Sequence, residues 1–181
     1  IHESLKKVEG MFAFALWDKR EKKLILARDR FGEKPLFYYN DAELFLFGSE
    51  LKVIKEFFDN KQLKISSDSA KLYSLLGYIP APRSIYENTF KVMPSEIIEF
   101  RDQQVLKQKY YAIKNSVKYF LPSYAELKDR IKYSLESSVK KMMIADVEVG
   151  CFLSGGVDSS LVAMLMQKNS KKKIRTFTVG F

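Results

Sequence analysis

Cysteine and histidine are almost absent from this 181-residue sequence, which contains one of each. A single cysteine, Cys151, excludes a framework of internal disulfides, and a single histidine, His2, disfavours a histidine-based zinc site. We therefore expect a protein of a reducing cytoplasm that has no structural zinc.

Long apolar runs are also absent, since none approaches the ~20 residues that a membrane-spanning helix needs. We therefore expect no membrane partner. Apolar residues nevertheless make up 46% of the chain, which suffices for a packed core. The sequence begins without Met and ends within an apolar, β-branched run, so we expect a segment of a longer protein.

Acidic residues are outnumbered, with 22 Asp and Glu against 31 Lys and Arg, and the formal net charge is +9. Such an excess can indicate a nucleic-acid partner. The lysines are scattered, however, and the one dense run, residues 171–175, follows a predicted helix. We interpret this charge as solvated surface, so that nucleic acid is not the expected partner.

The first third of the chain contains four short apolar runs, which are separated by polar turns. The runs are residues 11–18, 24–30, 36–40 and 43–50. Aromatic and branched residues in runs of this length predict antiparallel strands. A closing hairpin is predicted over 96–111. The domain boundary is expected at 113–122, which gives domains 1–112 and 123–181.

Two helices and a loop are predicted between these strands. Leu51, Ile54 and Phe58 recur on one face of the first helix. Ser67 and Asp68 offer N-caps for a second helix over 69–78. The prolines of residues 78–90 predict an irregular loop.

The segment after the boundary predicts a long helix. Ser123 and Glu126 have the spacing of a capping box. An apolar stripe with one small member follows: Leu127, Ile131, Leu135, Ser138 and Met142.

The sequence "VEVGCFL-SGGVDSS-LVAMLMQKNS", residues 147–170, predicts a buried strand, a glycine-rich turn and a helix. A second strand is predicted over 174–181, which makes a βαβ unit with parallel strands. A glycine-rich turn at the start of a helix presents unpaired N–H groups and partial positive charge, and it can bind phosphate without a basic side chain.

The side chains of this turn fit a phosphate site. Gly155 and Gly156 let the main chain come close, and the hydroxyls of Ser154, Ser159 and Ser160 can donate hydrogen bonds. Asp158 would repel phosphate unless a cation lay between them, which points to Mg²⁺. Neither Gly-Lys-Ser/Thr nor Gly-x-Gly-x-x-Gly is present.

The motif Ser-Gly-Gly-Val-Asp-Ser-Ser resembles the pyrophosphate loop of the N-type ATP pyrophosphatases. The resemblance implies cleavage of ATP between the α- and β-phosphates, with the loop holding the pyrophosphate. Several enzymes share this loop, including ones that thiolate tRNA, so the loop alone does not identify the substrate.

Residues 10–18, 27–39 and 47–54 resemble the second half of a class II glutamine amidotransferase domain, an α+β N-terminal-nucleophile-type antiparallel sandwich. Residues 78–100, 146–160 and 175–181 are similar to the glutamine-hydrolysing asparagine synthetase family. This second resemblance implies that a partial α/β parallel-sheet, adenine-nucleotide hydrolase-like domain follows.

The resemblance implies ATP-dependent amidation of aspartate to asparagine with glutamine-derived ammonia, through a β-aspartyl-adenylate, releasing AMP and pyrophosphate. The implied partners are aspartate, glutamine, ATP and Mg²⁺, and a homodimer stays open. Three alternatives also stay open: an amidotransferase acting on a polysaccharide sugar acid, a tRNA-modifying enzyme, and a non-catalytic module.

The resemblance also implies roles for individual residues. ATP would contact Leu153, Ser154, Gly155, Gly156, Val157, Asp158, Ser159, Ser160 and Val179, with Asp158 as the metal ligand. The glutaminase nucleophile would lie upstream, so no catalytic residue is assigned, Cys151 is interpreted as core, and the fragment alone is expected to be inactive. Glu148 stands where the family has proline. Arg28, Asp29, Arg30 and Glu50 are interpreted as structural ion-pair candidates.

Overall fold

A computed structural model describes residues 1–58, 63–113 and 122–180 of the chain. The chain divides into two compact units, Ile1–Lys114 and Asn115–Phe181. The predicted linker, 113–122, lies almost wholly outside the described residues, so the predicted domain limits stay predictions.

The first unit is a small α+β domain built on two antiparallel sheets. Its four-stranded sheet has the order β1-β2-β6-β7, and its three-stranded sheet has the order β4-β3-β5. The elements are α1 (His2–Lys7), β1 (Ala13–Asp18), β2 (Lys23–Arg28), β3 (Phe37–Asn40), β4 (Phe45–Gly48), α2 (Leu51–Phe57), α3 (Ser67–Leu76), β5 (Thr89–Lys91), β6 (Glu96–Arg101) and β7 (Gln104–Lys109). The predicted antiparallel strands are thus confirmed.

The predicted closing hairpin is confirmed as β6 and β7, which pair from Glu96↔Lys109 to Arg101↔Gln104. Asp102 and Gln103 join them with φ of 49° and 60°. Positive φ at both central residues is typical of a type I′ turn, whose twist matches that of the strands.

Successive side chains of β2 and β6 point to opposite faces of the four-stranded sheet, and both faces are buried. Ile25, Ala27 and Ile97 lie on one face, where they pack with Leu5 of α1. Leu26 and Ile98 lie on the other face, where they pack with Tyr38 of the three-stranded sheet. The two sheets therefore share a core, which the stacked rings of Phe45 and Phe100 extend, with centroids 4.3 Å apart.

Helices α2 and α3 of the first unit follow the predicted pattern with one correction, whereas α1 was not predicted from the sequence. In α2, Ile54 is buried and Leu51 is half-buried, as predicted. The N-cap of α3 is Ser66, not Ser67 or Asp68, because the Oγ of Ser66 accepts the N–H of Ser69 at 3.3 Å.

The predicted irregular loop contains a short strand that the sequence did not reveal. The loop has a cis peptide bond between Ala81 and Pro82. Its last residues enter β5, which pairs with β3 from Phe37↔Lys91 to Tyr39↔Thr89. Three residues are too few to show an alternating pattern, which explains the omission.

The second unit contains α4 (Tyr124–Met142), β8 (Gly150–Phe152), α5 (Val157–Lys168) and β9 (Arg175–Phe177). Strands β8 and β9 are parallel, as predicted. A separate core forms around Val139, Cys151, Leu165 and Met166. Cys151 is therefore the buried core residue that was expected.

Two predictions about burial in this unit are wrong. The strand predicted as buried is only three residues long, and its Phe152 is 79% exposed, because no described element covers that face of the sheet. The α4 stripe packs through Leu135 together with Val139 and Met143. Its other predicted members, Leu127, Ile131, Ser138 and Met142, are exposed.

No helix within the described ranges is both long and apolar enough to cross a membrane.

Candidate functional site: the turn between β8 and α5

The glycine-rich turn connects the end of β8 to the first residue of α5. Leu153, just past β8, donates its N–H to the carbonyl of Phe177 at 2.8 Å, which continues the strand pairing. Gly155 then takes φ of +82°, where a side chain would be strained, and Gly156 is the N-cap. The turn thus leads directly into the helix N-terminus.

The three serine hydroxyls of the turn bond to the turn itself. Ser159 Oγ accepts the N–H of Ser154 at 3.3 Å, lies 3.0 Å from Ser154 Oγ and donates to the carbonyl of Gly156 at 3.2 Å. Ser160 Oγ donates to the same carbonyl at 2.8 Å. A hydroxyl has one proton. The protons of Ser159 and Ser160 are therefore used at Gly156, and that of Ser154 is left to bond Ser159.

Most of the main-chain N–H groups of the turn, unlike its hydroxyls, do not bond within the turn. Within the described part of the chain, the N–H groups of residues 155–159 have no protein acceptor. All of these residues except Ser159 are exposed. Free N–H groups at a helix N-terminus, added to the helix dipole, favour a bound anion. The amides are therefore available to an anion, while the hydroxyls hold the shape of the turn.

Asp158 lies in the first turn of α5 and is exposed. The described residues contain no cluster of three or more His, Cys, Asp or Glu side chains that could hold a metal ion. Mg²⁺ commonly binds through one or two carboxylates together with substrate phosphates and water. A single carboxylate beside free amides fits that mode of binding, in which the phosphate oxygens supply further ligands.

Val179, one of the predicted ATP contacts, lies just past β9 and is 71% exposed. The residue before it, Thr178, donates from Oγ1 to the carbonyl of Leu153 at 2.8 Å. The end of β9 is therefore bonded to the start of the turn. Sequence reasoning did not select Thr178, because a threonine beside a strand has no distinguishing pattern.

Arg28 and Asp29 are structural, as expected, but their side chains bond to main-chain groups, and neither forms an ion pair with a residue that the structure describes. Asp29 is 1% exposed and accepts the N–H groups of Phe31, Glu33 and Lys34 at 3.0–3.1 Å. Burial acts to raise its pKa, but the amides of this loop outweigh burial and hold the pKa below the ordinary 3.8.

The Arg28 guanidinium donates to the carbonyls of Lys34, Val92 and Gly32 at 2.5–2.7 Å. Burial lowers the pKa of Arg28, and the charge of Asp29 acts in the opposite direction. Carbonyl groups that surround the guanidinium therefore replace the expected carboxylate partner.

The remaining two candidates also differ from the ion-pair expectation. Arg30 donates to the carbonyl of Lys6 at 2.8 Å and lies over the ring of Tyr111, 5.3 Å from its centroid. Glu50 is exposed and precedes α2 as the N-cap, where its side chain makes no capping hydrogen bond.

Glu148, which replaces the proline of the resembled family, pairs with Arg175 of β9 at 3.0 Å. Both side chains are largely exposed, so the pair adds little stability. The departure from the family pattern thus replaces a rigid residue with a surface ion pair at the entrance to β8.

Two family matches cover most of the chain. Residues 2–111 match the family described as the glutamine amidotransferase domain. Residues 130–181 match the family described as asparagine synthase.

Three relatives extend over nearly the whole chain. A protein of Methanocaldococcus jannaschii, provisionally named a glutamine-hydrolysing asparagine synthetase, is 39% identical over 99% of this chain and 35% of its own length. Asparagine synthetase 1 of Bacillus subtilis is 32% identical over 99% of this chain and 28% of its own length. The Mus musculus asparagine synthetase is 30% identical over 99% of this chain and 32% of its own length.

The chain spans about a third of the length of these curated relatives. The first match covers the unit with two antiparallel sheets, and the second covers the unit with the parallel strand pair and the glycine-rich turn. The chain therefore belongs to the glutamine amidotransferase domain family, and part of an asparagine synthase domain follows in the same polypeptide.

Proposed function

We propose that this chain is part of a glutamine-hydrolysing asparagine synthetase and that residues 153–160 hold the pyrophosphate portion of ATP. The observation that carries the proposal is the set of free N–H groups at residues 155–159, in a segment that matches the asparagine synthase family. The names of the relatives favour aspartate over a sugar acid as the acceptor.

The proposed reaction has two steps at the second unit. An oxygen of the aspartate side-chain carboxylate attacks the α-phosphorus of ATP, and the bond from that phosphorus to the bridging oxygen breaks, releasing pyrophosphate. Ammonia from glutamine then attacks the acyl carbon, AMP leaves with the electron pair of the acyl–oxygen bond, and a proton is lost. The first step converts a carboxylate, which is a poor acyl donor, into an activated one.

The turn contributes to the first step by stabilising the departing pyrophosphate. Charge develops on the leaving oxygens, and preorganised N–H groups that point toward them stabilise it most. Bound Mg²⁺ would neutralise part of the same charge, and Asp158 is the residue that would hold it. Leu153 would contact ATP through its main chain, and Val179 would contact the nucleoside portion near the adenine.

The proposal includes the finer fold assignment. The first unit would be part of an N-terminal-nucleophile sandwich, with its domain ending near residue 112. The second unit, from residue 123, would be the beginning of an adenine-nucleotide hydrolase-like domain. The shared core of the two sheets supports the first assignment, and the parallel pair β8 and β9 supports the second.

The reaction is tested by aspartate-dependent release of pyrophosphate from ATP, measured on a longer polypeptide that carries this chain. Release with aspartate and glutamine is expected, together with asparagine formation. Release that requires a sugar acid or tRNA, with none on addition of aspartate, would overturn the proposed acceptor.

The site is tested on the 181-residue chain by calorimetric titration with pyrophosphate and Mg²⁺. Replacing Asp158 with Ala should remove most of the Mg²⁺-dependent part of the affinity, since it removes the only carboxylate in the turn. Asp146→Ala is the matched control, because Asp146 is also exposed but lies outside the turn. Equal affinities for the two variants would contradict the role of Asp158.

A further inference from the structure

The peptide group that joins Leu153 to Ser154 is held from both sides. Its carbonyl oxygen accepts the hydroxyl of Thr178 at 2.8 Å. Its N–H donates to Ser159 Oγ at 3.3 Å. A peptide group is planar, so fixing its oxygen and its hydrogen fixes the orientation of the whole plane.

The two residues that hold this plane come from different elements. Thr178 follows β9, and Ser159 lies in the first turn of α5. The plane itself is the first one of the turn after the strand pairing at Leu153 ends. Its orientation therefore determines the direction in which the chain enters Gly155, and with it the direction of the free N–H groups at 155–159.

We propose that Thr178 is a positioning residue, whose hydroxyl sets the turn in its anion-binding form before the anion arrives. The inference rests on the proposed function of the turn. Thr178 does not contact the anion in this role; it acts through the carbonyl of Leu153. Preorganised donors bind more tightly because less ordering is left to occur on binding.

The position of Thr178 also connects the two ends of the proposed ATP site. Its own hydroxyl bonds to the first plane of the phosphate-binding turn, and its neighbour Val179 is the proposed nucleoside contact. An incorrect rotation of the plane would therefore weaken phosphate binding while leaving Val179 in place.

The test compares three variants of the 181-residue chain by calorimetric titration with Mg²⁺ and pyrophosphate. Thr178→Val removes the hydroxyl and keeps the branched shape. Thr178→Ser restores a hydroxyl. Thr176→Val is the matched control, because Thr176 is exposed in β9, two residues before Thr178, and its side chain makes no hydrogen bond to the described residues.

We expect Thr178→Val to weaken pyrophosphate binding by about two- to tenfold, which corresponds to one lost hydrogen bond. Thr178→Ser should recover most of that loss, and Thr176→Val should bind like the unaltered chain. Thermal unfolding should show that Thr178→Val and Thr176→Val are both fully folded at the temperature of the titration, which separates positioning from general unfolding. Equal binding by these two variants, or failure of the serine variant to recover, would overturn the inference.

A double-variant cycle supplies a second readout. Thr178→Val and Ser159→Ala release the same peptide plane, so their losses in affinity should sum to more than the loss of the double variant. Strictly additive losses would overturn the shared-plane argument. If the unaltered chain does not bind pyrophosphate, the proposed function itself fails, and the inference fails with it.

Discussion

Asp29 shows how a single side chain can organise a loop of this fold. Its buried carboxylate accepts N–H groups from three residues that follow it in the chain. Replacing Asp29 with Asn puts an NH₂ group opposite amide donors. We expect the free energy of unfolding to fall by about 2 kcal/mol, the typical cost of leaving buried polar groups unsatisfied. Denaturant titration measures this change.

Asp18→Asn is the control, because Asp18 also accepts two loop amides, from Arg20 and Glu21, but is not buried. Its effect should be much smaller, since water can replace the lost partners. Similar losses for the two variants would show that burial of Asp29 is not the cause.

The same carboxylate predicts a pH dependence. Because the pKa of Asp29 is held below its ordinary 3.8 in the folded chain, its stabilisation is complete above that value and is lost as the pH falls through the folded pKa. The unaltered chain should therefore lose more stability below pH 3.8 than the Asp29→Asn variant does. Parallel curves of unfolding free energy against pH would contradict this assignment.

Single-residue roles were only partly accessible from the sequence. The motif predicts a phosphate-binding turn at residues 153–160, because glycine and serine at these spacings have a direct chemical meaning, and this role stays a prediction. Thr178 was missed, since its partner Leu153 lies 25 residues earlier in the chain. Arg28 was given the wrong kind of partner, because carbonyl groups brought together by folding cannot be seen in a linear sequence.

At the scale of the element, the start of α4 is set by its N-cap residue, Ser123. Ser123 Oγ accepts the N–H of Glu126, and the Glu126 side chain accepts the N–H of Ser123, so the predicted capping box is confirmed. Replacing Ser123 with Ala should lower the free energy of unfolding of this unit by about 1 kcal/mol. Denaturant titration followed by circular dichroism detects the loss.

Ser138→Ala is the matched control for that change. Ser138 lies inside α4 and is exposed, so alanine there should have no effect or a small stabilising one through its higher helix propensity. If the two alanine variants are equally stable, the capping box contributes nothing measurable.

The sequence predicted the positions of helices and strands better than it predicted the burial of their side chains. Local rules place helix starts, turns and strands, and so α2, α4, α5 and the β6–β7 hairpin follow from the sequence. Burial depends on what covers an element. The exposure of Phe152 and of Leu127 therefore could not be read from patterns that only mark a residue as apolar.

At the scale of the whole molecule, the two units have separate cores in the described residues. The single tryptophan, Trp17, lies in β1 of the first unit. Pyrophosphate with Mg²⁺, at about a hundred times its dissociation constant, should stabilise the second unit by about 2.7 kcal/mol. The transition reported by helical circular dichroism should move to higher temperature, and that reported by Trp17 fluorescence should not.

Absence of a shift in the helical transition would contradict binding at the turn. Omitting Mg²⁺ is the control, and it should reduce the shift if the carboxylate of Asp158 holds the cation. Such a comparison needs no activity from the chain.

The α+β character of the first unit was accessible from the sequence because its strands alternate and its turns are marked. The partition of its strands into one sheet of four and one of three was not, since three strands and two helices separate β6 from its partner β2 in the chain. Pairing between strands so far apart in the chain depends on which apolar faces meet in the folded protein. Two strands with the same alternating pattern cannot be told apart from the sequence alone.

The ring of Phe177 lies across Gly150 so closely that a methyl group on that glycine would come within 2.7 Å of the ring. Positions 150 and 177 should therefore vary together among related sequences. A larger residue at 150 should be accompanied by a smaller one at 177, and a bulky pair should be missing. Aligning homologues at these two columns would reveal whether natural selection has respected that limit.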